Sequence, residues 1–259
     1  MSLEQRAWKI ASTEGNMLSR RAFVGVVASA AGALITGPNA LADGRNVDNQ
    51  RSMITEYKAK DFSEVAKGLK GISSNQLAQH IGLYEGYVKK TNAAQKGLRK
   101  LHTADKAFAS TSTRDLSLRQ TYSLNGMILH EYYFAGLTAE RSVPAGNVAD
   151  ILEKEHGGVQ KWFQALISLG KAARGWVVFG LNLRDGHTHF YVLDAHDMYS
   201  PLLVIPLVVL DVYEHAYMID YGTNRGAYLD AYAQLINWSV VTARINRLEH
   251  VSTGRIWTD

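Results

Sequence analysis

The spacing of apolar residues changes character near Gly175-Trp176, and that change limits the fold more than any other feature. Before it, apolar positions recur with a helical period. Over about 75–99, Leu77, His80, Tyr84, Tyr87 and Val88 fall on one face, and over about 115–137, Met127, His130, Phe134 and Leu137 repeat at i, i+3, i+7 and i+10. Two such stripes joined by a polar stretch predict a helical hairpin, because each can bury its face against the other. A third helix is expected after Gly157-Gly158, through Trp162, Phe163, Leu166 and Leu169. Beyond it the residues favour strands: Trp176 to Leu183, an Arg184-Asp185-Gly186 turn, His189 to Leu193, and an apolar run from Leu202 to Val212 that contains Pro206. From Glu214 the pattern turns helical again, through Tyr228, Tyr232, Leu235, Ile236 and Trp238. The expectation is an α+β protein: an N-terminal helical hairpin, then an α/β domain with a three-stranded antiparallel sheet.

The N-terminal segment has a different logic. Ser19-Arg20-Arg21-Ala22-Phe23-Val24 precedes an uncharged Ala/Gly-rich run to about Thr36, and Ala40-Leu41-Ala42 supplies small residues at the cleavage-setting positions. The paired arginines, with a Ser before and a Phe two residues after, resemble a twin-arginine export signal. An ordinary Sec signal or an uncleaved anchor helix are the alternatives. The run is short of the roughly 20 strongly apolar residues that span a bilayer, so no stable membrane span is expected after processing. The expected organisation is an export signal over 1–42, a helical-hairpin domain over 43–140 and an α/β metal-binding domain over 141–259. The location implied is periplasmic or secreted, in a bacterium. Residues 43–65 read as a polar arm.

Composition narrows the chemistry. The chain has no cysteine, which removes thiolate metal sites, iron–sulfur clusters, covalent haem attachment and thiol nucleophiles. Half of the net charge of +4 lies in the leader, where Arg6, Lys9, Arg20 and Arg21 face Glu4 and Glu14. No basic block with interleaved aromatics appears, so no nucleic-acid partner is expected.

The densest chemical signal is Asp211-Val212-Tyr213-Glu214-His215-Ala216-Tyr217, where an apolar run meets a helical one. A carboxylate at the edge of a core needs a partner, and His215 lies four residues on. His130 sits on the apolar face of its stripe and His80 on that of the other. Either alone would read as a hydrogen-bonded core histidine. Three such imidazoles with one hard carboxylate, and no thiol, suit one Fe or Mn ion.

These segments resemble the iron/manganese superoxide dismutase family. The resemblance rests on the Asp211–Tyr217 block with Tyr221, Asn224, Arg225, Tyr228 and Asn237-Trp238 after it. It is joined by His130-Glu131-Tyr132-Tyr133-Phe134-Ala135-Gly136-Leu137, by Tyr87-Val88-Lys89-Lys90-Thr91-Asn92 and by Gly175-Trp176, in the family's order. The resemblance implies metal ligands at His80, His130, Asp211 and His215, with Tyr87 as the gateway tyrosine. It implies a pocket lined by Trp176, Tyr133 and Tyr213, and superoxide as substrate. It also implies a homodimer or higher homo-oligomer, in which Glu214 reaches a ligand histidine of the partner subunit and Tyr217 supports the interface.

Four departures stand out. The family places its first ligand eight residues before the gateway tyrosine; His80 is seven before Tyr87, and Gln79 is eight before it. Loss of a π-bulge would produce that difference. The channel histidine that many members carry four residues before the tyrosine is Leu83 here, unless Tyr84 substitutes. The glutamine that commonly bonds the metal-bound solvent comes from the second helix, where Gly126 stands, or from the loop Asp194-Ala195-His196-Asp197. His196 is expected in that role; an exposed turn histidine is the alternative. Val178 and Tyr213 stand where tryptophans are common. A rival reading is a metal-binding protein of this fold with weak or no turnover. A di-iron helical protein would need Glu-x-x-His on two helices, a set this chain does not carry.

Overall fold

Ser73 starts the first helix: its Oγ accepts a hydrogen bond from the Gln76 backbone N–H, relieving one of the amides that a helix start leaves unpaired. The structure, a computed structural model, describes residues 56–65, 67–103 and 111–252. The export signal expected over 1–42, with its cleavage point before Asp43, lies outside the described residues. Helix α1 (Ser74–Thr103) packs along α2 (Thr111–Ala135) as the expected hairpin, with Leu77, His80, Tyr84, Met127, His130 and Phe134 buried between them.

An extended arm crosses this hairpin before α1. Asn92 holds it with two bonds: its Oδ1 accepts from the Tyr57 N–H at 2.9 Å and its Nδ2 donates to the Tyr57 carbonyl at 2.8 Å. Further along, Lys60 N–H donates to the Tyr84 hydroxyl, which itself donates to Glu131. Phe62 then inserts against the rings of Tyr84 and Phe134.

Two helices follow rather than the single one the sequence pattern suggests. Helix α3 (Asn147–His156) buries only Val148 and Leu152, too short an apolar stripe to stand out in the sequence. Gly157 ends it with φ 71°, donating to Glu153 O while Gly158 N–H reaches Leu152 O, a paired closure that favours a residue without Cβ. Helix α4 (Val159–Ala172) then buries Trp162 and Leu166.

The sheet is antiparallel in the order β2-β1-β3, with β1 (Trp176–Asn182), β2 (Thr188–Leu193) and β3 (Val204–Asp211). Pro206 is tolerated because β3 is an edge strand and its pairing with β1 shifts register between Phe179 and Gly180, where Leu207 is left over. Trp176 is the register residue that matters most: it pairs with Leu193 on one side and Asp211 on the other.

After β3 the helical stretch is broken, not continuous. A 3₁₀ turn (Glu214–Ala216) and the short α5 (Met218–Tyr221) end at Gly222, φ 54°. Asn224 then caps α6 (Arg225–Gln234) by accepting from Ala227 N–H, and α7 (Trp238–Ser252) follows. The end of the hairpin is stitched to this region by Thr138 N–H to Leu235 O and Asn237 N–H to Gly136 O. Arg244 of α7 adds donations to Leu207 O and Tyr132 O. Among the described residues, no helix is long and apolar enough to cross a membrane.

Phe62→Ala is expected to lower stability by about 3 kcal/mol, the usual cost of deleting a buried Phe ring. Urea unfolding at constant m-value checks it.

Candidate metal centre

Each of the four expected ligands is delivered by a different local device. His80 and His130 come from the facing stripes of α1 and α2. Asp211 is the last residue of β3, and His215 lies in the 3₁₀ turn directly after it. Gln76, one helical turn before His80, holds that turn against α1: its Nε2 donates to His215 O at 2.6 Å and its Oε1 accepts from Ile219 N–H. Sequence reasoning missed Gln76 because its partners are backbone atoms more than a hundred residues away.

The four side chains converge, with one ligand atom from each lying within 4.8 Å of the others. His80 Nε2 and His215 Nε2 are 3.1 and 3.2 Å from Asp211 Oδ2, and His130 Nε2 is 3.7 Å from the same oxygen. Asp211 Oδ1 accepts from Tyr213 N–H at 2.9 Å, and the Asp211 carbonyl accepts from the buried Tyr228 hydroxyl. Gln79 is exposed and bonded to Asn75, so His80 is the side chain that α1 turns inward. No π-type turn interrupts α1, consistent with the spacing of seven to Tyr87.

Electrostatics keep the donors ready. Burial would raise the Asp211 carboxyl, but His215 and His80 hold it well below the usual carboxylate range. Burial pushes His130 down to about 3 and also lowers His80 against the pull of Asp211. His215 is half-buried, and there Asp211 outweighs burial and raises it.

His130 decides whether the group fits a metal. Its Nδ1 lies 2.6 Å from Gly126 O, so that nitrogen carries the proton and Nε2 is a bare lone pair. Nε2 is buried and has no hydrogen-bond partner among the described residues. A bare nitrogen facing a carboxylate with no proton between them is unfavourable in a dry interior unless a cation lies there. The donor set fits a metal ion.

Three further aromatic rings stand close to the cluster. Trp176 stands edge-on to His130 at 4.9 Å, Tyr133 lies 5.0 Å from His80, and Tyr213 stacks on His215 at 5.1 Å. His196 is 1% exposed, so it is not a surface turn residue. Its Nδ1 accepts from Trp176 Nε1 at 2.9 Å, its Nε2 is 2.7 Å from the Tyr87 hydroxyl, and Asn125 fixes its carbonyl. Burial lowers its pKa to about 4. Gly126 makes this possible: a Cβ there would lie 2.9 Å from Tyr87 and 3.0 Å from His196. Tyr84 does not replace the missing channel histidine, since its hydroxyl is committed to Glu131 and Lys60. Glu214 is exposed beside the buried Tyr217, whose hydroxyl accepts from Arg225.

Residues 144–244 match the C-terminal domain of iron/manganese superoxide dismutases. Superoxide dismutase [Fe] of Aquifex pyrophilus is 36% identical over 186 residues, covering 70% of this chain and 87% of that protein. The chain belongs to the iron/manganese superoxide dismutase family. Superoxide dismutase [Fe] of Cupriavidus metallidurans is 33% identical over 195 residues, 73% of this chain and 95% of that protein. Superoxide dismutase [Mn] 1 of Halobacterium salinarum is 28% identical over 179 residues.

His80→Ala is expected to abolish most metal binding while Gln79→Ala leaves it unchanged, measured as bound metal per chain. A second expectation concerns acid. His130 and His196 stay neutral in the fold down to about 3 and 4, whereas unfolded imidazoles titrate near 6.5. Between those values the unfolded chain binds more protons, so stability of the metal-free protein falls as pH drops from about 6.5 towards 4. His80 adds to this, and His215, with a raised pKa, opposes it. Urea midpoints at pH 7 and pH 5 check the sign; equal midpoints would contradict it.

Proposed function

We propose that this chain is an exported, dimeric superoxide dismutase that holds one Fe or Mn ion per subunit at His80, His130, Asp211 and His215. The observation that carries the reading is the buried, unpartnered Nε2 of His130 facing Asp211 beside two further imidazoles. When bound, such an ion supplies a one-electron couple that takes an electron from one superoxide and returns it to the next, for 2 O₂⁻ + 2 H⁺ → O₂ + H₂O₂.

The chain's own residues do the rest. Asp211 contributes the single negative charge of the donor set, and its neighbours keep it ionised. His130 is fixed in one tautomer by Gly126 O. The rings of Trp176, Tyr133 and Tyr213 exclude bulk water from the cluster. Trp176 orients His196, and His196 orients the Tyr87 hydroxyl, which gives protons a defined point of delivery. Lys90 lies 5.2 Å over the Tyr87 ring, a positive charge near the approach of an anionic substrate.

Export by the twin-arginine route follows from Ser19-Arg20-Arg21-Ala22-Phe23-Val24 and places the mature protein, beginning at Asp43, in the periplasm or outside the cell. That route carries folded proteins, so it allows the metal to be loaded before export. The mature chain divides into the hairpin domain over 43–140 and the α/β domain over 141–259. The dimer face is the Glu214–Tyr217 turn, beside which Met218 and Ile219 of α5 present exposed apolar surface.

Protein recovered from the periplasm of an exporting host is expected to begin at Asp43 and to sediment as a dimer. It is expected to carry stoichiometric Fe or Mn and to dismute superoxide. Stoichiometric metal without turnover would favour the rival, a metal-binding protein that has lost catalysis.

A further inference from the structure

A row of polar groups leads away from the metal-ligand cluster, and its direction can be read from donor chemistry. The Trp176 indole N–H can only donate, so His196 Nδ1 is the acceptor and the ring proton sits on Nε2. That proton points at the Tyr87 oxygen 2.7 Å away. The Tyr87 O–H is therefore left as a donor in search of an acceptor. Inward lies the cluster, since the Tyr87 ring stacks on His130 at 5.3 Å. Outward lies Tyr122 of α2.

Tyr122 occupies a singular place. Its ring is 4.6 Å from that of His196 and 6.1 Å from that of Tyr87, tilted 56° to the latter. Tyr122 is 37% exposed, against 8% for Tyr87 and 1% for His196, so the row passes from interior to solvent at this residue. It opens into a cavity of about 590 Å³ lined also by Lys90, Arg119 and Asp197. On α1, Leu83 offers no hydrogen-bonding group with which to make this connection, and Tyr84 is turned away to Glu131.

We infer that Tyr122 is a positioning residue for the dismutase reaction: its hydroxyl accepts the outward Tyr87 O–H and joins the row Trp176–His196–Tyr87 to solvent through α2. The inference rests on the dismutase reading. Each reduction of superoxide to H₂O₂ consumes two protons from solvent. When Tyr87 turns its O–H inward and gives that proton to the superoxide being reduced, the Tyr122 O–H replaces it and Tyr122 takes a proton from solvent, so the row is restored and has delivered one of the two protons. No electron moves in these steps.

Tyr122→Phe keeps the ring against His196 and removes the hydroxyl. In the iron-loaded protein, titrated with sodium azide and followed by absorbance, Tyr87 loses its outward acceptor and donates inward to the anion. Azide affinity is then expected to rise by about two- to tenfold, the range that one hydrogen bond commands. Turnover is expected to fall most at alkaline pH, where protons are scarce, with KM little changed. Tyr122→His, which restores an acceptor, should return both towards the parent and serves if the Phe variant folds poorly. Unchanged or weaker azide binding in Tyr122→Phe, with a parent-like pH profile, would overturn the inference and leave Tyr122 a packing residue. Azide binding needs no turnover: a parent that binds azide yet does not dismute superoxide sinks the dismutase reading, while the azide shift still decides the place of Tyr122.

Discussion

Everything in this structure converges on one buried negative charge. Asp211 is fully buried at the end of an edge strand, where an isolated carboxylate would cost several kcal/mol. It is tolerated because Tyr213 N–H and the imidazoles of His80 and His215 bond to it. Those partners belong to α1 and the turn after β3, so the charge is satisfied only when hairpin and sheet are docked. The same requirement explains the scaffolding outside the donors: Gln76 pins the turn to α1, and Tyr228 holds the Asp211 carbonyl from α6.

The sheet register then sets what faces the donors. Trp176 pairs with Asp211 on one side and Leu193 on the other. One residue of β1 thereby spans from the ligand strand to the loop that carries His196, and its indole N–H fixes that histidine's tautomer. Gly126 completes the arrangement from the opposite wall, because any side chain there would occupy the space that His196 and Tyr87 share. The pocket chemistry thus depends as much on an absent side chain on α2 as on those present.

The parts legible in the sequence were those with local signatures. The hairpin showed in its two apolar stripes, the sheet in a change of period, and Asp211 and His215 in one short block. Less legible were the features whose signal is weak or distant. Helix α3 buries two residues only, and the stretch after Glu214 reads as one helix until Gly222 and Asn224 are seen to break and restart it. His80 was the least local of the four proposed ligands, because a spacing of seven or eight to Tyr87 depends on whether the helix winds regularly. α1 has no π-type turn, and that brings His80 inward. Tyr122 and Gln76 carried no signal at all, since a tyrosine or glutamine on a helix is ordinary until its neighbours are known.

The sequence by itself determined the donor inventory: three imidazoles and a carboxylate, no thiol, and the residues that place the chain in its family. It also determined which faces are apolar, because helical and strand periods are properties of neighbouring residues. Only the tertiary structure decided how those groups are poised. The lone pair of His130 and the tautomer of His196 are each set by a partner remote in sequence or by a backbone carbonyl. Hydrogen-bond direction and burial are relations between elements, and they come into being only when the hairpin closes over the end of the sheet.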